Sequence, residues 1–391
     1  MKIQSLNSVK NLSGKKILLR VDFNVPLEAG KIKDDYKIVS GLDTIRTLSD
    51  KGASLIILTH LGDPGGKIKA DLSTAPLAAR LKKLLQKPVK FVADISGPLA
   101  VKEAVKMRPG EIIFLENVRF AAGELKNDKK FAKSLAALVD IYVNDAFAVS
   151  HRAQASVSAI KSFLPSYAGL LLEKEIKALQ RALKPKKPLV AVMGGAKIST
   201  KAPIIKNIYP AANKILLGGG LANSFLKYHG YEIGRSLYDQ ESLKVIKRLM
   251  VGKAKDKKII LPVDVVVKIS TGKVKAKSVT DVGKQDMILD IGPKTVELYA
   301  RLIKSAKTII WNGPMGKFEE ARFRSGTIAV ARVIASHSSG RAYGLAGGGE
   351  TVEALKLSGM MEYVDWVSTA GGAMLAYLSK DKMPGLTKII S

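Results

Sequence analysis

Residues 54–94 contain three consecutive runs that decide the fold, which are SLIILTH (54–60), STAPLAARLKKLLQ (73–86) and PVKFVAD (88–94). The first and third runs are short and rich in apolar residues, which is typical of buried strands. The middle run places apolar residues at three- and four-residue spacing, which predicts an amphipathic helix. A strand, a helix and a strand in this order predict parallel strands joined by right-handed crossovers. The alternation continues along the chain and predicts an α/β fold with doubly wound parallel sheets.

The length of the chain predicts two domains, because 391 residues exceed the ~250–300 at which a single hydrophobic core stops growing. One amphipathic helix is predicted from about Gly169 to Leu183, and Pro185 and Pro188 prevent its continuation. The alternation of strands and helices restarts on both sides of this helix. We therefore expect two doubly wound domains joined by a helix. The predicted limits are 1–168 for the N-terminal domain, 169–184 for the helix and 185–375 for the C-terminal domain.

The composition is that of a soluble globular protein, with 47% hydrophobic and 25% charged residues. No apolar run approaches the ~18–20 residues that a membrane span needs, and residues 1–10 lack the apolar region of a signal peptide. Cysteine is absent, which excludes disulfides, thiolate metal sites and cysteine catalysis. By elimination, we expect a cytoplasmic protein with no membrane partner.

The net charge of +30 raises the question of nucleic-acid binding, which is the usual interpretation of so basic a chain. The excess of lysine and arginine is spread over both halves of the chain and is not gathered in a tail. No RNP-type aromatic motif, zinc-finger spacing or helix-turn-helix signature accompanies it. A generally Lys-rich surface is therefore favoured over a dedicated nucleic-acid site.

In the first half of the chain, charged and polar side chains follow the predicted strands. Ligands of open α/β sheets bind beyond the carboxyl ends of the strands. Arginine forks suit phosphate and carboxylate groups, so several of them at these ends predict a small, highly anionic substrate. A metal pair of His60 and His151 is an alternative, although contact with phosphate or carboxylate is favoured. The candidate residues are Arg20, Asp22, Asn24, His60, Asn117, Arg119, His151 and Arg152.

In the second half of the chain, glycines follow the predicted strands where the first half has cations. Backbone N–H groups approach a phosphate closely where no Cβ interferes, and a helix N-terminus attracts anions. The run GGAKISTK places Lys197 and Lys201 four residues apart at a helix start, although it is not a Walker A motif. The alternative for each loop is tight packing of a helix on a strand. The candidate segments are Gly194–Lys197, Gly218–Gly220, Asn312–Gly316, Gly347–Thr351 and Gly371–Gly372.

Three side chains in these loops suggest more specific contacts. Glu350 is a candidate carboxylate for Mg²⁺, and Thr351 is either a helix N-cap or a hydroxyl for phosphate. Glu319 is a candidate acceptor for the hydroxyl groups of a ribose.

Ordered motifs occur along nearly the whole chain, and they include RVDFNVP (20–26), THLG (59–62), LENVRF (115–120), NDAFAVSHRAQAS (144–156), GGAKISTK (194–201), WNGPMGKFE (311–319), GGGET (347–351) and STAGGA (368–373). With these motifs the chain resembles the phosphoglycerate kinase family over nearly its whole length. The resemblance implies two Rossmann-like domains, the first for 3-phosphoglycerate or 1,3-bisphosphoglycerate and the second for Mg²⁺ with ATP or ADP. It also implies that residues 376–391 return to the first domain, and we expect a monomer.

Transferred position by position, the resemblance implies three sets of functional residues. The substrate set is Arg20, Asp22, Phe23, Asn24, Lys37, His60, Leu61, Gly62, Asp63, Arg119, His151 and Arg152. The nucleotide set is Gly194, Gly195, Ala196, Lys197, Lys201, Gly218, Gly219, Gly292, Asn312, Pro314, Glu319, Gly347, Gly348, Gly349, Glu350 and Thr351, with Glu350 reaching Mg²⁺ through the nucleotide. The catalytic set is Lys37, Lys197, Gly348, Gly371 and Gly372.

The implied reaction is reversible in-line transfer of the acyl phosphate of 1,3-bisphosphoglycerate to ADP, through a loose transition state. A carboxylate is a good leaving group, so no general base is required. Catalysis then depends on positioning and on neutralising the phosphoryl oxygens. Because the two ligands belong to different domains, hinge closure is expected before the chemical step.

The chain departs from the family pattern near the chemistry. Lys37 occupies a position that the family usually gives to a transition-state arginine, and Asp63 replaces a substrate-side arginine. Gln154, Ala370 and Glu350 replace a histidine, a glycine and an aspartate. An alternative for Asp63 is a shifted loop in which a nearby lysine, at position 67, replaces the missing cation. The alternative for the whole chain is a non-catalytic scaffold with a basic surface that serves RNA.

Overall fold

The structure is a computed structural model that describes residues 3–196, 201–251, 257–368 and 370–390. Two six-stranded sheets, all parallel and flanked by helices, confirm the predicted α/β fold. The chain divides into two compact units, unit 1 with Met1–Lys177 and Lys382–Ser391, and unit 2 with Ala178–Asp381. The domain limits predicted from the sequence stay predictions. In the described part of the chain, no helix combines the length and apolar character of a membrane span.

Unit 1 is built on a sheet with the strand order β5-β6-β4-β1-β7-β8. The central strands β1, β4 and β7 are buried almost throughout, which explains their continuous apolar runs. The strands are β1 (Lys16–Val21), β2 (Leu27–Glu28), β3 (Lys31–Ile32), β4 (Ser54–Leu58), β5 (Lys90–Val92), β6 (Ile112–Leu115), β7 (Ile141–Asp145) and β8 (Ser166–Ala168). The helices are α1 (Tyr36–Ser40), α2 (Leu42–Asp50), α3 (Ala75–Leu85), α4 (Pro98–Lys106), α5 (Ala122–Leu125), α6 (Lys129–Ala136) and α7 (Leu170–Leu183).

Unit 2 begins at Ala178, within α7, the predicted joining helix. It repeats the design with the strand order β11-β10-β9-β15-β16-β17. Its strands are β9 (Leu189–Met193), β10 (Lys214–Leu217), β11 (Ile259–Ile260), β12 (Asp264–Lys268), β13 (Val274–Ser278), β14 (Met287–Ile291), β15 (Thr308–Asn312), β16 (Tyr343–Gly347) and β17 (Trp366–Ser368). Its helices are α8 (Ala202–Ile208), α9 (Gly219–Tyr228), α10 (Gln240–Met250), α11 (Pro293–Lys304), α12 (Ser325–Ser338), α13 (Gly349–Ser358) and α14 (Gly371–Leu378).

A third sheet, which the sequence did not predict, is antiparallel and has the order β13-β12-β14. Strands β12 and β13 form a hairpin whose turn contains Gly272 at φ +80°. The turn is closed by hydrogen bonds between Ile269 and Lys273 and between Gly272 and Ile269. The run KISTGKVKAKS carries a hairpin signal, with turn residues between two strand-like runs, that the expectation of strand and helix alternation overlooked.

The segment 382–390 packs on unit 1 beside the loop that follows β7. The N–H of Gly385 donates to the carbonyl of Ser150 at 2.8 Å, and Asn144 Nδ2 donates to the carbonyl of Gly385 at 3.1 Å. The buried Lys161 donates to a carbonyl of the same segment at 2.5 Å. A late stretch of the chain thus supports an early loop.

Candidate functional site

The carboxyl ends of the central strands of unit 1 are level with one another. Arg20, near the end of β1, is in register with Leu58 on β4 and with Asn144 on β7. Asp22 follows β1 directly and His60 is the second residue after β4, so they lie at the same edge of the sheet. The sheet therefore gathers the predicted anion-binding residues of the first half.

Arg20 is fully buried and is held by protein groups on every guanidinium nitrogen. Its Nε donates to Ser156 Oγ at 3.0 Å, and its two terminal nitrogens contact the carbonyl of Val21 at 2.5 Å and His60 Nδ1 at 3.4 Å. Ser156 in turn donates to the buried Glu124 through its N–H at 2.8 Å and its Oγ at 2.7 Å. Burial raises the pKa of Glu124. Arg20 is therefore part of the framework that supports His60.

Lys37, Asp22 and His60 form the polar group above Arg20. Lys37 Nζ donates to Asp22 Oδ2 at 2.7 Å. Burial raises the pKa of Asp22, but Lys37 and Arg20 together hold it below its ordinary value. Burial lowers the pKa of His60 well below its ordinary value, and neighbouring arginines add to this shift. Because the guanidinium of Arg20 can only donate, we infer that His60 Nδ1 accepts and that Nε2 carries the proton. His60 is thus a neutral donor that suits an anionic ligand.

Asn117 shapes the loop that carries Arg119. Its Oδ1 accepts from the N–H groups of Leu61 at 3.2 Å and Arg119 at 3.1 Å, and its Nδ2 donates to the carbonyl of Leu61 at 2.7 Å. Arg119 NH1 donates to the carbonyl of Gly62 at 2.7 Å, and its buried Nε has no partner among the described residues. Asp63 lies 3.9 Å from Arg119 NH1, with 77% of its side chain exposed. Asp63, which replaces an arginine of the family pattern, thus lies near the charge of Arg119.

The loop after β7 contributes two further cationic or polar groups. His151 is half-buried and Arg152 is exposed, with Arg152 Nε 3.4 Å from His151 Nε2. Burial and the charge of Arg152 lower the pKa of His151. The buried Gln154 Oε1 has no partner among the described groups. Among the described residues of unit 1, the acceptor Gln154 Oε1 and the donor Arg119 Nε are therefore both buried without a hydrogen-bond partner.

The remaining predicted substrate residues have mainly structural contacts. Asn24 Oδ1 accepts from the N–H of Gly62 at 2.9 Å and fixes this glycine. Phe23 and Leu61 are buried, so their side chains belong to the core. Lys67, the alternative cation of this loop, is exposed.

In unit 2, loops that follow five of the parallel strands pack backbone against backbone. A Cβ added to Gly194 would lie 1.9 Å from the carbonyl oxygen of Pro314, and one added to Gly313 would lie 2.3 Å from that of Gly194. A Cβ on Gly371 would lie 2.7 Å from the Cα of Gly348. A Cβ on Gly347 would instead meet a side chain, 2.4 Å from Met374 Sδ. The predicted residues that take part in the backbone packing are Gly194, Gly195, Gly218, Gly219, Pro314 and Gly348. Only glycine permits these approaches, and the result is a surface of backbone groups.

Asn312 connects two of these loops with a lysine. Asn312 is buried, accepts from Lys201 Nζ through Oδ1 and donates through Nδ2 to the carbonyl of Gly347 at 2.5 Å. Burial lowers the pKa of Lys201 to about 8, although Glu350 acts in the opposite direction. Thr351, also buried, accepts from the N–H of Gly313 at 2.8 Å, so its hydroxyl holds the loop.

A cavity of about 320 Å³ lies beside these loops. Gly292 is not among its lining residues and instead packs on Asp264, whose Cγ would lie 2.3 Å from a Cβ on this glycine. Gly349 is exposed at the start of α13. The predicted nucleotide residues that line the cavity are Gly195, Ala196, Gly219, Pro314, Glu319 and Glu350.

The apolar wall of the cavity was missed in the sequence. It is built mainly from the antiparallel sheet and the segment before it, whose apolar residues carry no periodic sign of a cavity. Asp290 also lines it, is buried, and accepts from the N–H of Gly326 at 2.7 Å. Burial raises the pKa of Asp290 to about 7. The wall residues are Leu237, Pro262, Val265, Met287, Ile288, Leu289 and Ile291.

Of the predicted catalytic residues in unit 2, the structure describes the glycines but not the lysine. Lys197 lies outside the described residues. Gly371 is the first residue of α14, and Gly372 is exposed beside it. The N-terminal N–H groups of α14 and α13 therefore begin next to each other, because Gly371 contacts Gly348.

The residues present fit a magnesium ion that is held mainly by its nucleotide. Within the described ranges, no group of three or more His, Asp or Glu is arranged to hold a metal. Glu350 lines the cavity, and its Oε2 would lie 3.6 Å from a Cβ on Gly195. Mg²⁺ commonly binds through one or two carboxylates together with substrate phosphates.

Comparisons with known proteins give matches over nearly the whole chain. The family model described as phosphoglycerate kinase matches residues 6–381. The phosphoglycerate kinase of Thermosipho africanus is 45% identical over 385 residues, covering 97% of this chain and 96% of that protein. That of Thermomicrobium roseum is 43% identical, covering 96% of each. The structure of phosphoglycerate kinase from Coxiella burnetii matches with a TM-score of 0.89 and 40% identity over 99% of each chain.

Proposed function

Because this chain belongs to the phosphoglycerate kinase family and transfers a phosphoryl group reversibly between 1,3-bisphosphoglycerate and ADP, we propose that unit 1 binds the phosphoglycerate and unit 2 the nucleotide. ATP and ADP are its co-substrates, and its partners are small molecules. The non-catalytic scaffold that serves RNA has no support from these relatives.

The observation that carries this division is the contrast between the two strand-end surfaces. Unit 1 presents charged side chains, including the buried Arg119 with an unpaired Nε. Unit 2 presents glycine backbone beside a cavity of about 320 Å³ with an apolar wall. A compact anion suits the first surface, since guanidinium groups bind phosphate and carboxylate directly. A base and ribose followed by phosphates suit the second, since an apolar cavity leads to backbone amides.

In unit 1, we assign the direct contacts to the residues that retain free donors. These are Arg119, the neutral His60 with its Nε2 proton, and the exposed Arg152. Lys37 is paired with Asp22, and an incoming anion would compete with this carboxylate for it. Arg20 acts through His60 and is a positioning residue.

In unit 2, we assign the phosphate contacts to Lys201, to Lys197 and to the N-terminal amides of α13 and α14. Lys201 is held by Asn312, so its ammonium keeps a fixed place at the loops. Glu319 and Glu350 line the cavity and supply acceptors for a ribose and for Mg²⁺. When bound, Mg²⁺ would neutralise charge on the nucleotide phosphates.

The chemical step requires positioning and electrostatic stabilisation and no general base from the protein. Lys37 and Lys197 would neutralise the oxygens of the transferring group, and the amides of Gly371 and Gly372 would donate to them. This proposal has three further parts. The protein is a cytoplasmic monomer without a dedicated nucleic-acid site, and its domains have the limits predicted from the sequence. Hinge closure precedes the transfer.

The assay is the formation of ADP from ATP, 3-phosphoglycerate and Mg²⁺, with KM measured for each substrate. Arg119→Ala should raise KM for 3-phosphoglycerate about tenfold or more, because a charged donor is lost, and should leave KM for ATP unchanged. Arg108→Ala, at an exposed arginine of the same unit, is the matched control. An equal rise of both KM values in Arg119→Ala would contradict the assignment of the phosphoglycerate to unit 1.

A further inference from the structure

Unit 1 contains a second concave site between helix α3 and the antiparallel hairpin that β2 and β3 form. Its volume is about 530 Å³. None of the residues proposed to bind phosphoglycerate lines it. The charged residues of its lining are Lys31, Lys33, Asp35, Arg80 and Lys83. We refer to it as the hairpin cleft.

The cations of the hairpin cleft outnumber the carboxylates available to them. Arg80 donates to Asp35 Oδ2 through Nε at 2.8 Å and through NH2 at 2.6 Å, so one carboxylate oxygen takes both bonds. Lys33 pairs with Glu28, outside the cleft lining, with both side chains largely exposed. Lys31 and Lys83 have no ion-pair partner among the described residues. A concave surface with an excess of one sign of charge concentrates ions of the opposite sign.

The positions of these cations favour an extended anion over a single small one. They come from both walls of the cleft, with Lys31 and Lys33 on the hairpin and Arg80 and Lys83 three residues apart on α3. Residues three apart on a helix share a face. The guanidinium of Arg80 suits phosphate oxygens, and the lysines act as point charges along the ligand. A ligand with charge repeated along its length would contact both walls at once.

We propose that the hairpin cleft is a binding site for a linear oligophosphate, distinct from the phosphoglycerate and nucleotide sites. The cleft is large enough for several linked phosphates, and in its lining the five charged residues outnumber the apolar Ile32, Pro76 and Ala79. Binding is electrostatic and reversible, and no covalent step is involved.

The test measures binding of inorganic tripolyphosphate by calorimetry to the whole chain, with 3-phosphoglycerate and ADP present to fill the proposed reaction sites and without Mg²⁺, which tripolyphosphate would chelate. The double variant Lys31→Gln/Lys83→Gln removes the two unpaired cations of the cleft. The matched control Lys82→Gln/Lys130→Gln removes the same charge from exposed positions outside it. We expect the first variant to bind about fivefold to tenfold more weakly and the control to bind like the wild type. Both variants should keep the wild-type kcat.

Three results would overturn the proposal. Equal weakening in the two variants would show that tripolyphosphate responds only to net charge. Absence of tripolyphosphate binding at low ionic strength, where screening is weakest, would show that the cleft does not hold oligophosphates. Cleft-dependent binding of a short single-stranded RNA without binding of tripolyphosphate would assign the cleft to a different ligand class.

Discussion

Replacing Asn312 by aspartate changes one nitrogen into an oxygen at the centre of the proposed phosphate site. The Nδ2 atom that donates to the carbonyl of Gly347 at 2.5 Å becomes an acceptor, so a buried hydrogen bond is lost and two acceptors face each other. The new carboxylate also contacts Lys201, which at present donates to a neutral amide oxygen. A lysine already paired with a carboxylate offers less charge to a phosphate.

The expected magnitudes follow from these two changes. An unpaired buried carbonyl costs about 1–3 kcal/mol, so the free energy of unfolding should fall by about that amount. We expect KM for ATP to rise about tenfold or more, since charge complementarity at the phosphates is lost as well. KM for 3-phosphoglycerate should stay at its wild-type value, because Asn312 belongs to unit 2.

The pH dependence of nucleotide affinity gives a second and independent test of the Asn312→Asp variant. In the wild type, burial lowers the pKa of Lys201 to about 8, so the ammonium form is lost as the pH rises above that value. Nucleotide affinity should therefore fall above about pH 8. In the variant, the added carboxylate raises the pKa of Lys201, and the fall should move to higher pH.

Steady-state kinetics for both substrates over a range of pH, together with chemical denaturation, would check each part. The reasoning is refuted if KM for ATP is unchanged while the stability falls as expected. It is also refuted if the KM values for ATP and 3-phosphoglycerate rise by the same factor.

Three further predictions concern the positions where the chain departs from its family. Lys37→Arg should raise kcat, measured at saturating substrates, because a fork orients a phosphoryl group better than a point charge does; an unchanged or lower kcat would remove residue 37 from the transition state. Asp63→Arg should lower KM for 3-phosphoglycerate, most at low ionic strength, because an exposed carboxylate 3.9 Å from Arg119 NH1 is removed. An unchanged KM in that variant, together with a raised KM in Lys67→Ala, would instead favour the shifted loop. Glu350→Gln should weaken ADP binding, measured by calorimetry, only when Mg²⁺ is present, and equal weakening in a chelator would contradict a metal contact.

The parallel sheets and the glycine loops were predictable because their signals are local. A buried parallel strand is a short apolar run, and a backbone surface for phosphate needs glycine at the strand end, as at Gly194 and Gly348. The helix from Leu170 to Leu183 was predicted to within one residue, since prolines follow its apolar periodicity. These features depend on neighbours in the sequence.

The contacts that were missed depend on residues far apart in the sequence. Ser156 accepts from Arg20 and donates to Glu124. Glu124 lies 32 positions before Ser156, and Arg20 lies a further 104 positions before Glu124. Asp290 reads as one polar residue in an apolar strand, and only the packed fold shows that it is buried beside the cavity. The antiparallel sheet was missed because the strong alternation elsewhere favoured another crossover over a hairpin.

The packing of residues 382–390 on unit 1 has a consequence for folding during synthesis. Unit 2 is one continuous stretch, so the ribosome releases all of it before the segment that contains Gly385 emerges. Translation adds about 5–20 residues per second, and domains generally fold as units while it proceeds. The hydrogen bonds from Gly385 to Ser150 and from Asn144 to Gly385 therefore form only after unit 2 has been made. The loop that ends in His151 and Arg152 is thus among the last parts of the nascent chain to be secured, although it is synthesised in the first half.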